Sequence, residues 1–144
     1  MSYVIVDIDG TCSDLTHRLH HIKNSPKNWD AFHDEVGGDA PHEDICEIVW
    51  ALSTISTIVY MSGRMERCRD DTLAWLRKHG FPIGGLHMRA NGDYRQDYIV
   101  KAELADAAGL FSGNVLCALD DRQQVVDMWR DCGIRCLQVA KGDF

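Results

Sequence analysis

A short apolar segment that runs directly into two aspartates constrains the fold of this chain more than any other feature. Residues 3–6 read Tyr-Val-Ile-Val, and Asp7, Asp9 and Gly10 follow within four positions. An unbroken run of this kind is typical of a central strand that is buried on both faces. Two carboxylates so close together repel each other, and a bound divalent cation usually compensates their negative charge. The segment therefore predicts a strand with a metal site at its end, the alternative being an ordinary Asp/Gly turn.

Segments typical of strands and of helices alternate along the rest of the chain. We predict further strands at residues 57–61, 86–88, 115–119 and 135–140, and helices at residues 28–36, 66–79 and 97–108, after Pro41 and around Val125. This alternation implies a three-layer, doubly wound α/β fold with a parallel sheet. The length of 144 residues suits a single domain. Residues 12–40 lie outside the alternation and are predicted to form a small helical cap insert.

The apolar positions predict which helical faces are buried. Trp29, Phe32 and Val36 share one face, and we interpret them as packing residues, with a base-stacking surface as the alternative. Pro41 is expected in the first turn of its helix, where the missing N–H is not needed. In the helix at residues 66–79 the inward side chains are expected to be Leu73 and Leu76.

Polar side chains follow three of the predicted strands directly. They are Asp7 with Asp9, Ser62 with Arg64, and Asp120 with Asp121. Because the carboxyl ends of parallel strands meet at one edge of the sheet, we expect these groups to share a crevice. Carboxylate oxygens without accompanying His or Cys favour Mg²⁺ over zinc. Mg²⁺ together with Ser, Lys and Arg side chains is suited to holding a phosphoryl group.

The charge distribution narrows the classes of partner. The formal net charge of −7 argues against a protein that coats nucleic acid non-specifically, because such proteins are basic. A local basic site is still open, since residues 15–29 contain no acidic residue while residues 30–47 contain no Lys or Arg. The alternative is that both stretches are solvated surfaces of opposite charge.

The cysteines and the absence of long apolar runs indicate the cellular compartment in which we expect the protein. The six cysteines form no CxxC pair, and several lie in apolar segments, so we expect reduced thiols in the core. A zinc site that uses Cys132 and Cys136 is less favoured, because no second ligand pair accompanies them. No apolar run reaches the roughly 20 residues of a membrane span, and a strand begins near Met1 without a leader segment. We therefore expect a cytoplasmic protein that does not bind membranes.

Four motifs of the sequence resemble those of a known family. Asp7-Ile8-Asp9-Gly10-Thr11 resembles the first motif of haloacid-dehalogenase-type phosphatases, Ser62 the second, Lys101 the third and Asp120-Asp121 the fourth. All four occur in order along the whole chain, which is far more specific than any one of them. The resemblance implies a haloacid-dehalogenase-like, Rossmannoid fold.

A closer resemblance is to the 3′-phosphatase domain of phage-type polynucleotide kinase-phosphatase. The matching stretches are Ser62-Gly63-Arg64, Arg95-Gln96-Asp97, Asp120-Asp121-Arg122, residues 125–130 and residues 138–144. Arg18, eleven residues after Asp7, coincides with an arginine that this family uses. The sequence contains no GxxxxGK[ST] kinase motif, and residues 19–60 show no clear match.

The resemblance implies a role for each motif residue. Asp7 would be the nucleophile, forming an aspartyl-phosphate, and Asp9 the general acid and base, with its carbonyl facing Mg²⁺. Asp120 and Asp121 would hold the metal, one of them directly. The phosphate would be bound by Ser62, Gly63, Arg64, Lys101, Arg18 and Arg122. Asp97 would orient Lys101, the alternative being that it caps the helix.

Three functions are consistent with these residues. The favoured one is an Mg²⁺-dependent phosphatase that removes 3′-phosphates from nucleic-acid ends, so that the partner is a phosphorylated DNA or RNA end. The second is a phosphatase of free nucleotides or other small phosphate esters. The third is a phospho-accepting receiver domain, which is disfavoured because its acceptor aspartate would follow the strand at residues 57–61, where Ser62 stands. The sequence leaves the oligomeric state open.

Overall fold

A five-stranded parallel sheet forms the centre of the computed structural model, which describes residues 1–142. Its strands are β1 (Tyr3–Val6), β4 (Thr57–Met65), β5 (Gly85–Arg89), β6 (Val115–Asp120) and β7 (Cys136–Gln138), in the spatial order β5-β4-β1-β6-β7. β1 pairs in parallel with both β4 and β6, so the predicted central strand is central. Asp143 and Phe144, which belong to the C-terminal stretch of the resemblance, lie outside the described residues.

Six α-helices accompany the strands in the described part of the chain. They are α1 (His20–Lys23), α2 (Trp29–Asp34), α3 (Glu43–Ser53), α4 (Arg69–Lys78), α5 (Asp97–Ala107) and α6 (Gln123–Asp131), with short 3₁₀ turns at Thr16–Arg18, Val36–Gly38 and Glu66–Cys68. Gly80 and Gly109 have positive φ just after α4 and α5, as expected of residues that end helices. Within residues 1–142, no helix combines the length and apolar character needed to span a membrane.

The two faces of the sheet carry separate layers of helices. Val4 and Val6 of β1 belong to one core cluster with Val49 of α3 and Trp75 of α4. Ile5 points the other way and joins a cluster with residues of α5 and α6, including Trp129. Alternate side chains of one strand therefore pack into opposite layers, because the side-chain period of a strand is two. The predicted three-layer, doubly wound α/β fold is confirmed.

The segment between β1 and α3 forms an insert on the carboxyl side of β1. A short antiparallel pair, β2 (Ser13–Asp14) with β3 (Ala40–Pro41), closes its base. Between these strands lie α1, α2 and two 3₁₀ turns, around a small core in which Leu15, Ile22 and Phe32 are buried. The helical character of residues 12–40 matches the prediction, whereas the strand pair was not predicted.

Several details differ from the prediction. Pro41 lies in β3 and α3 begins at Glu43, so its placement in the first helical turn is wrong; a two-residue edge strand tolerates the missing N–H. In α4, Leu76 is buried as expected, but Leu73 is only half-buried and Trp75 fills the core position. All six cysteines are free thiols, of which Cys12, Cys68, Cys117 and Cys136 are buried, Cys46 is half-buried and Cys132 is exposed.

Candidate active site

Asp7 lies directly after β1, where the chain turns at the carboxyl edge of the sheet. Its buried carboxylate accepts hydrogen bonds from Lys101 Nζ at 2.7 Å and from Thr11 Oγ1 at 3.0 Å. The turn requires Gly10, because its φ is +84° and a Cβ there would lie 2.0 Å from an Asp121 oxygen. Because Gly10 has no side chain, the first motif can lie directly against the end of β6.

Lys101 reaches the same edge from α5. Its ammonium group, in a side chain that is 1% exposed, lies 3.0 Å from Asp120 Oδ2 and 3.7 Å from Asp97 Oδ2. Asp97 is the first residue of α5, four positions before Lys101, so both lie on one helical face as predicted. Gln96 occupies the cap position, so the alternative interpretation of Asp97 as the N-cap is wrong.

Asp7, Asp120 and Asp121, called here the carboxylate triad, form a buried cluster. Each offers one oxygen, and the three oxygens lie within 4.8 Å of one another. Burial raises the pKa of Asp7, and the charge of Asp120 raises it further while Lys101 opposes both. Burial and Asp120 also raise the pKa of Asp121 to about 6. Three carboxylates with one ammonium group leave an excess of negative charge, which is costly in a buried site.

The triad has the properties of a divalent-cation site. Burial alone would lower the pKa of Lys101, but Asp120 and Asp7 outweigh it and hold the pKa well above its ordinary value. The ammonium group is therefore charged, and it still leaves an excess of negative charge. A divalent cation among the three oxygens would remove that excess, and a donor set made only of oxygens suits Mg²⁺. The residues present fit the metal that the sequence predicts.

A second cluster, called here the arginine clamp, consists of buried Arg18, Arg64 and Asp39 with half-buried Asp9. Arg18 donates to Asp9 Oδ1 at 2.5 Å and to the two Asp39 oxygens at 2.8 and 2.7 Å. Arg64 donates to Asp9 Oδ1 at 3.0 and 2.7 Å and to Asp39 Oδ2 at 3.3 Å. Both arginines are 0% exposed. Two positive charges thus face two negative ones, which is the balance that buried charges need.

The clamp determines the protonation state of Asp9. Burial alone would raise the pKa of Asp9, but the guanidinium groups of Arg64 and Arg18 outweigh it and hold the pKa well below its usual range. Sequence reasoning misses Asp39 altogether. Nothing in the acidic stretch at residues 30–47 distinguishes this aspartate from its exposed neighbours, and only the folding of the insert over β1 reveals its partners.

The end of β4 contributes the second motif. The strand continues four residues beyond its predicted end, and its register with β5 shifts between Ser62 and Met65. Ser62 Oγ accepts a hydrogen bond from the backbone N–H of Arg64 at 3.1 Å. A Cβ at Gly63 would lie only 2.1 Å from Asp97 Oδ1, so the strand approaches α5 closely because it lacks a side chain there.

A cavity of about 350 Å³ opens at this edge. It is lined by the carboxylate triad, Asp9, Gly63, Asp97 and Arg122, so the structure brings these predicted residues together. Arg122 also lies 3.9 Å from Asp97. The remaining predicted residues, Ser62, Lys101, Arg18 and Arg64, are buried and, among the described residues, are not part of the cavity wall. Their direct contact with a substrate stays a prediction.

The basic stretch at residues 15–29 is largely engaged within the protein. His17 Nε2 lies 2.7 Å from Asp39 Oδ1, and His21 Nε2 lies 3.0 Å from Glu35 Oε1. Lys27 is the basic residue of this stretch that lines the cavity described above. Two of the acidic residues that follow, Glu35 and Asp39, are therefore partners of the basic stretch, so the two stretches are not independent surfaces.

Comparison with known proteins agrees with this geometry. A family model described as the polynucleotide kinase PNKP phosphatase domain matches residues 1–144. The chain is 33% identical over 135 residues to a candidate bifunctional polynucleotide kinase/RNA ligase of Autographa californica nuclear polyhedrosis virus. In the solved Pnkp1/Rnl/Hen1 complex, one chain superposes with a TM-score of 0.81 at 33% identity. A haloacid dehalogenase-like hydrolase from Streptococcus pneumoniae shares the fold, with a TM-score of 0.66 at 12% identity.

The relatives with the higher identity are much longer than this chain. The match to the viral protein covers 91% of this chain and 18% of the relative. The match to the chain of the complex covers 99% of this chain and 46% of that one. The match to the streptococcal hydrolase covers 96% and 84%. The similarity to the viral protein and to the complex therefore concerns one part of each.

Proposed function

The chain belongs to the polynucleotide kinase PNKP phosphatase domain family, and from this premise we propose that it removes 3′-phosphates from nucleic-acid ends. It is a phosphatase domain of the haloacid dehalogenase type, so hydrolysis of phosphate esters is its general chemistry. The observation that carries the proposal is the buried group of Asp7, Asp120 and Asp121 in the cavity wall, with Lys101 hydrogen-bonded to Asp7 and Asp120. The function is attached to this site and not to the fold alone.

Asp7 is the proposed nucleophile. One of its oxygens forms a bond to phosphorus while the bond from phosphorus to the leaving 3′-oxygen breaks, which gives an aspartyl-phosphate. A water molecule then attacks phosphorus, inorganic phosphate leaves and the Asp7 carboxylate is restored. The Lys101 ammonium, 2.7 Å from Asp7 Oδ1, stabilises the negative charge that develops on the phosphoryl oxygens.

Asp9 is proposed to protonate the leaving oxygen and then to take a proton from the attacking water. The arginine clamp favours the ionised form of Asp9, which is the form needed for the second step. A substrate phosphate that competed for Arg18 and Arg64 would weaken this hold and raise the pKa of Asp9 in the complex. The predicted phosphate contacts of the two arginines would thus also prepare the first step.

We further propose that the carboxylate triad and the backbone carbonyl of Asp9 hold Mg²⁺. When bound, Mg²⁺ neutralises the excess carboxylate charge and polarises the phosphoryl oxygens. The residues of the chain position the phosphoryl group through Ser62, Gly63 and Lys101, while Asp97 holds Lys101 in place at 3.7 Å.

Free nucleotides are the second candidate substrates. One observation favours them: His17, Arg18 and His21 of the basic stretch are engaged with Asp39 and Glu35, so Lys27 is the member that stands at the cavity. The backbone of a nucleic-acid strand would therefore contact fewer cationic side chains of the protein than the sequence suggests. A compact cavity lined by carboxylates and arginines can also serve a single nucleotide.

A comparison of substrates tests the proposal. We would measure kcat/KM for a 3′-phosphorylated oligonucleotide, for its 5′-phosphorylated counterpart, and for 3′- and 5′-mononucleotides, each with Mg²⁺ at two salt concentrations. The 3′-phosphorylated strand should be the best substrate, and its advantage should shrink at high salt because backbone contacts release counterions. The Asp7→Asn protein, which keeps the shape but loses the anionic oxygen, serves as the inactive control.

Three outcomes would count against the proposal, each at a different level. Equal or better efficiency on mononucleotides, without a salt effect specific to the strand, would leave a nucleotide phosphatase and remove the polynucleotide assignment. Substantial Mg²⁺-dependent turnover by Asp7→Asn would remove the assigned nucleophile. Trapping with beryllium fluoride should modify Asp7 in the wild-type protein, and labelling elsewhere would exclude the aspartyl-phosphate route.

A further inference from the structure

A second cavity adjoins the one that contains the catalytic groups. Its volume is about 410 Å³, and it shares Lys27, Trp29 and Tyr94 with the first cavity as lining residues. The two cavities therefore share one wall, which these three side chains form at the edge of the insert.

The shared wall contains aromatic side chains that the catalytic chemistry does not use. Trp29 is half-buried and packs edge-on against Phe32, with ring centroids 5.6 Å apart at 88°. It stacks with His33 at 6.1 Å and 26°. Tyr94, in the loop between β5 and α5, is 68% exposed. Phe32 and His33 therefore hold the indole in place, while the indole still lines both cavities. A side chain that is already fixed loses little entropy when a planar ligand binds.

The charges beside these rings indicate what the ligand would be. Lys27 Nζ lies 5.6 Å from the centroid of the Trp29 ring and lines both cavities. Burial lowers the pKa of His33 to about 4, so the ring that stacks with Trp29 is neutral near neutral pH. Aromatic faces with a nearby ammonium group suit a nucleobase whose backbone carries phosphate.

We propose that Trp29 and Tyr94 form the binding site for the nucleobase of the nucleotide that bears the scissile 3′-phosphate. Lys27, which lines both cavities, would contact the phosphate on the 5′ side of that nucleotide. This inference rests on the proposed function, because the phosphate beside Asp7 sets the position of the base. Trp29 is then a specificity residue, which is the base-stacking role that its sequence pattern left open as the alternative to packing.

The test compares two strands that differ in one base. Both carry a 3′-phosphate, and one ends in an ordinary nucleotide while the other ends in a tetrahydrofuran abasic residue. Wild-type protein should prefer the base-containing strand in kcat/KM by about tenfold, the scale of one base–aromatic stack. Trp29→Leu should reduce this ratio to near unity, Trp29→Phe should retain most of it, and Tyr94→Leu should reduce it in part.

Matched controls separate stacking from damage to the fold. Trp50→Leu replaces a tryptophan on α3 that is 52% exposed and lies outside both cavity walls, so the ratio should be that of the wild type. Because Trp29 also packs in the insert, Tyr94→Leu provides a variant on an exposed residue. Binding of both strands to the Asp7→Asn protein and to its double variant with Trp29→Leu, measured by fluorescence anisotropy, gives a readout that does not depend on turnover.

The outcomes distinguish this inference from the function on which it rests. If wild-type protein hydrolyses both strands equally, or if Trp29→Leu keeps the ratio, the base site is wrong while the 3′-phosphatase proposal stands. If the base preference appears with 3′-mononucleotides and not with strands, the site is confirmed for nucleotides and the strand assignment fails. If neither the strands nor the mononucleotides are hydrolysed, and only a simple phosphate ester such as β-glycerophosphate is, both proposals fail together.

Discussion

Asp39 holds two arginines at once, and its loss would leave a buried positive charge without a partner. It accepts hydrogen bonds from Arg18 and Arg64 with a side chain that is 0% exposed. Asp39→Asn should therefore lower the free energy of unfolding by about 3 kcal/mol, the scale for breaking a buried ion pair. It should also reduce kcat/KM by roughly 100-fold, because misplaced arginines no longer position Asp9. Urea unfolding and phosphate release measure the two effects.

Asp30 provides a control on the same insert. Its carboxylate is 74% exposed and pairs with Arg67 at 3.4 Å on the surface. Asp30→Asn should change the free energy of unfolding by no more than about 0.5 kcal/mol, because exposed ion pairs contribute little. If Asp39→Asn proved as mild as Asp30→Asn in urea unfolding, the arginine clamp would have no structural role.

Asp121 makes the stability of the metal-free protein depend on pH. Its pKa is raised from an ordinary 3.8 to about 6, so between these values the folded state binds more protons than the unfolded state. Stability without metal should therefore fall as the pH rises from about 4 to about 6. Asp121→Asn removes this penalty, so in EDTA at pH 7.5 the variant should be more stable than wild type by up to about 3 kcal/mol.

The advantage of Asp121→Asn should vanish at low pH and reverse when metal is added. Below about pH 4 the Asp121 carboxyl is protonated in both states, so the advantage of Asp121→Asn should disappear in thermal unfolding scans. Added Mg²⁺ should favour wild type instead, because only wild type keeps the full carboxylate triad. Asp106→Asn, on the exposed end of α5, should show neither trend. A variant that is destabilised equally at both pH values would argue against a raised Asp121 pKa.

The elements that carry the motifs could be predicted from the sequence, because local patterns determine them. Apolar runs fix β1 and β6, and the four-residue spacing of Asp97 and Lys101 places both on one face of α5. The extension of β4 to Met65 and the pairing of β2 with β3 depend on contacts between distant segments. For the same reason Asp39 and the Trp29 cavity wall could not be derived from sequence patterns alone.

The close approach of β4 to α5 leads to a prediction for Gly63. A Cβ at this position would lie 2.1 Å from Asp97 Oδ1, so Gly63→Ala should push the Asp97 carboxylate away from its place 3.7 Å from Lys101. We expect kcat/KM to fall by roughly 100-fold, because small misplacements of catalytic groups are costly. Phosphate-release kinetics measure this, and the circular dichroism spectrum should be that of the wild type.

Gly37 is the matched control for this substitution. A Cβ there would have no neighbouring atom within 4 Å, and its φ is not positive. Gly37→Ala should therefore keep wild-type turnover. Equal activity of the two alanine variants would show that the site tolerates movement of Asp97, and the contact between β4 and α5 would then have no part in positioning Lys101.

At the scale of the whole molecule, the carboxylate triad joins segments that are far apart in sequence. Asp7 follows β1 near one end of the described chain, while Asp120 and Asp121 come from the end of β6, and Lys101 of α5 lies between them. A ligand that binds only this assembled group must favour the folded state. Metal binding at this site should therefore raise the free energy of unfolding of the whole protein as well as the rate of phosphate release.

Mg²⁺ at 100 times its dissociation constant should raise the free energy of unfolding by about 2.7 kcal/mol, and excess EDTA should abolish both this gain and turnover. Ca²⁺ should also stabilise the protein but support little turnover, because its longer and looser coordination would misplace Asp7. Asp120→Asn should lose the Mg²⁺-dependent gain, whereas Asp106→Asn should keep it. Full activity in excess EDTA would contradict a metal-dependent reaction. Stabilisation of Asp120→Asn equal to that of wild type would place the metal outside the triad, because Asp120 supplies one of the three clustered oxygens.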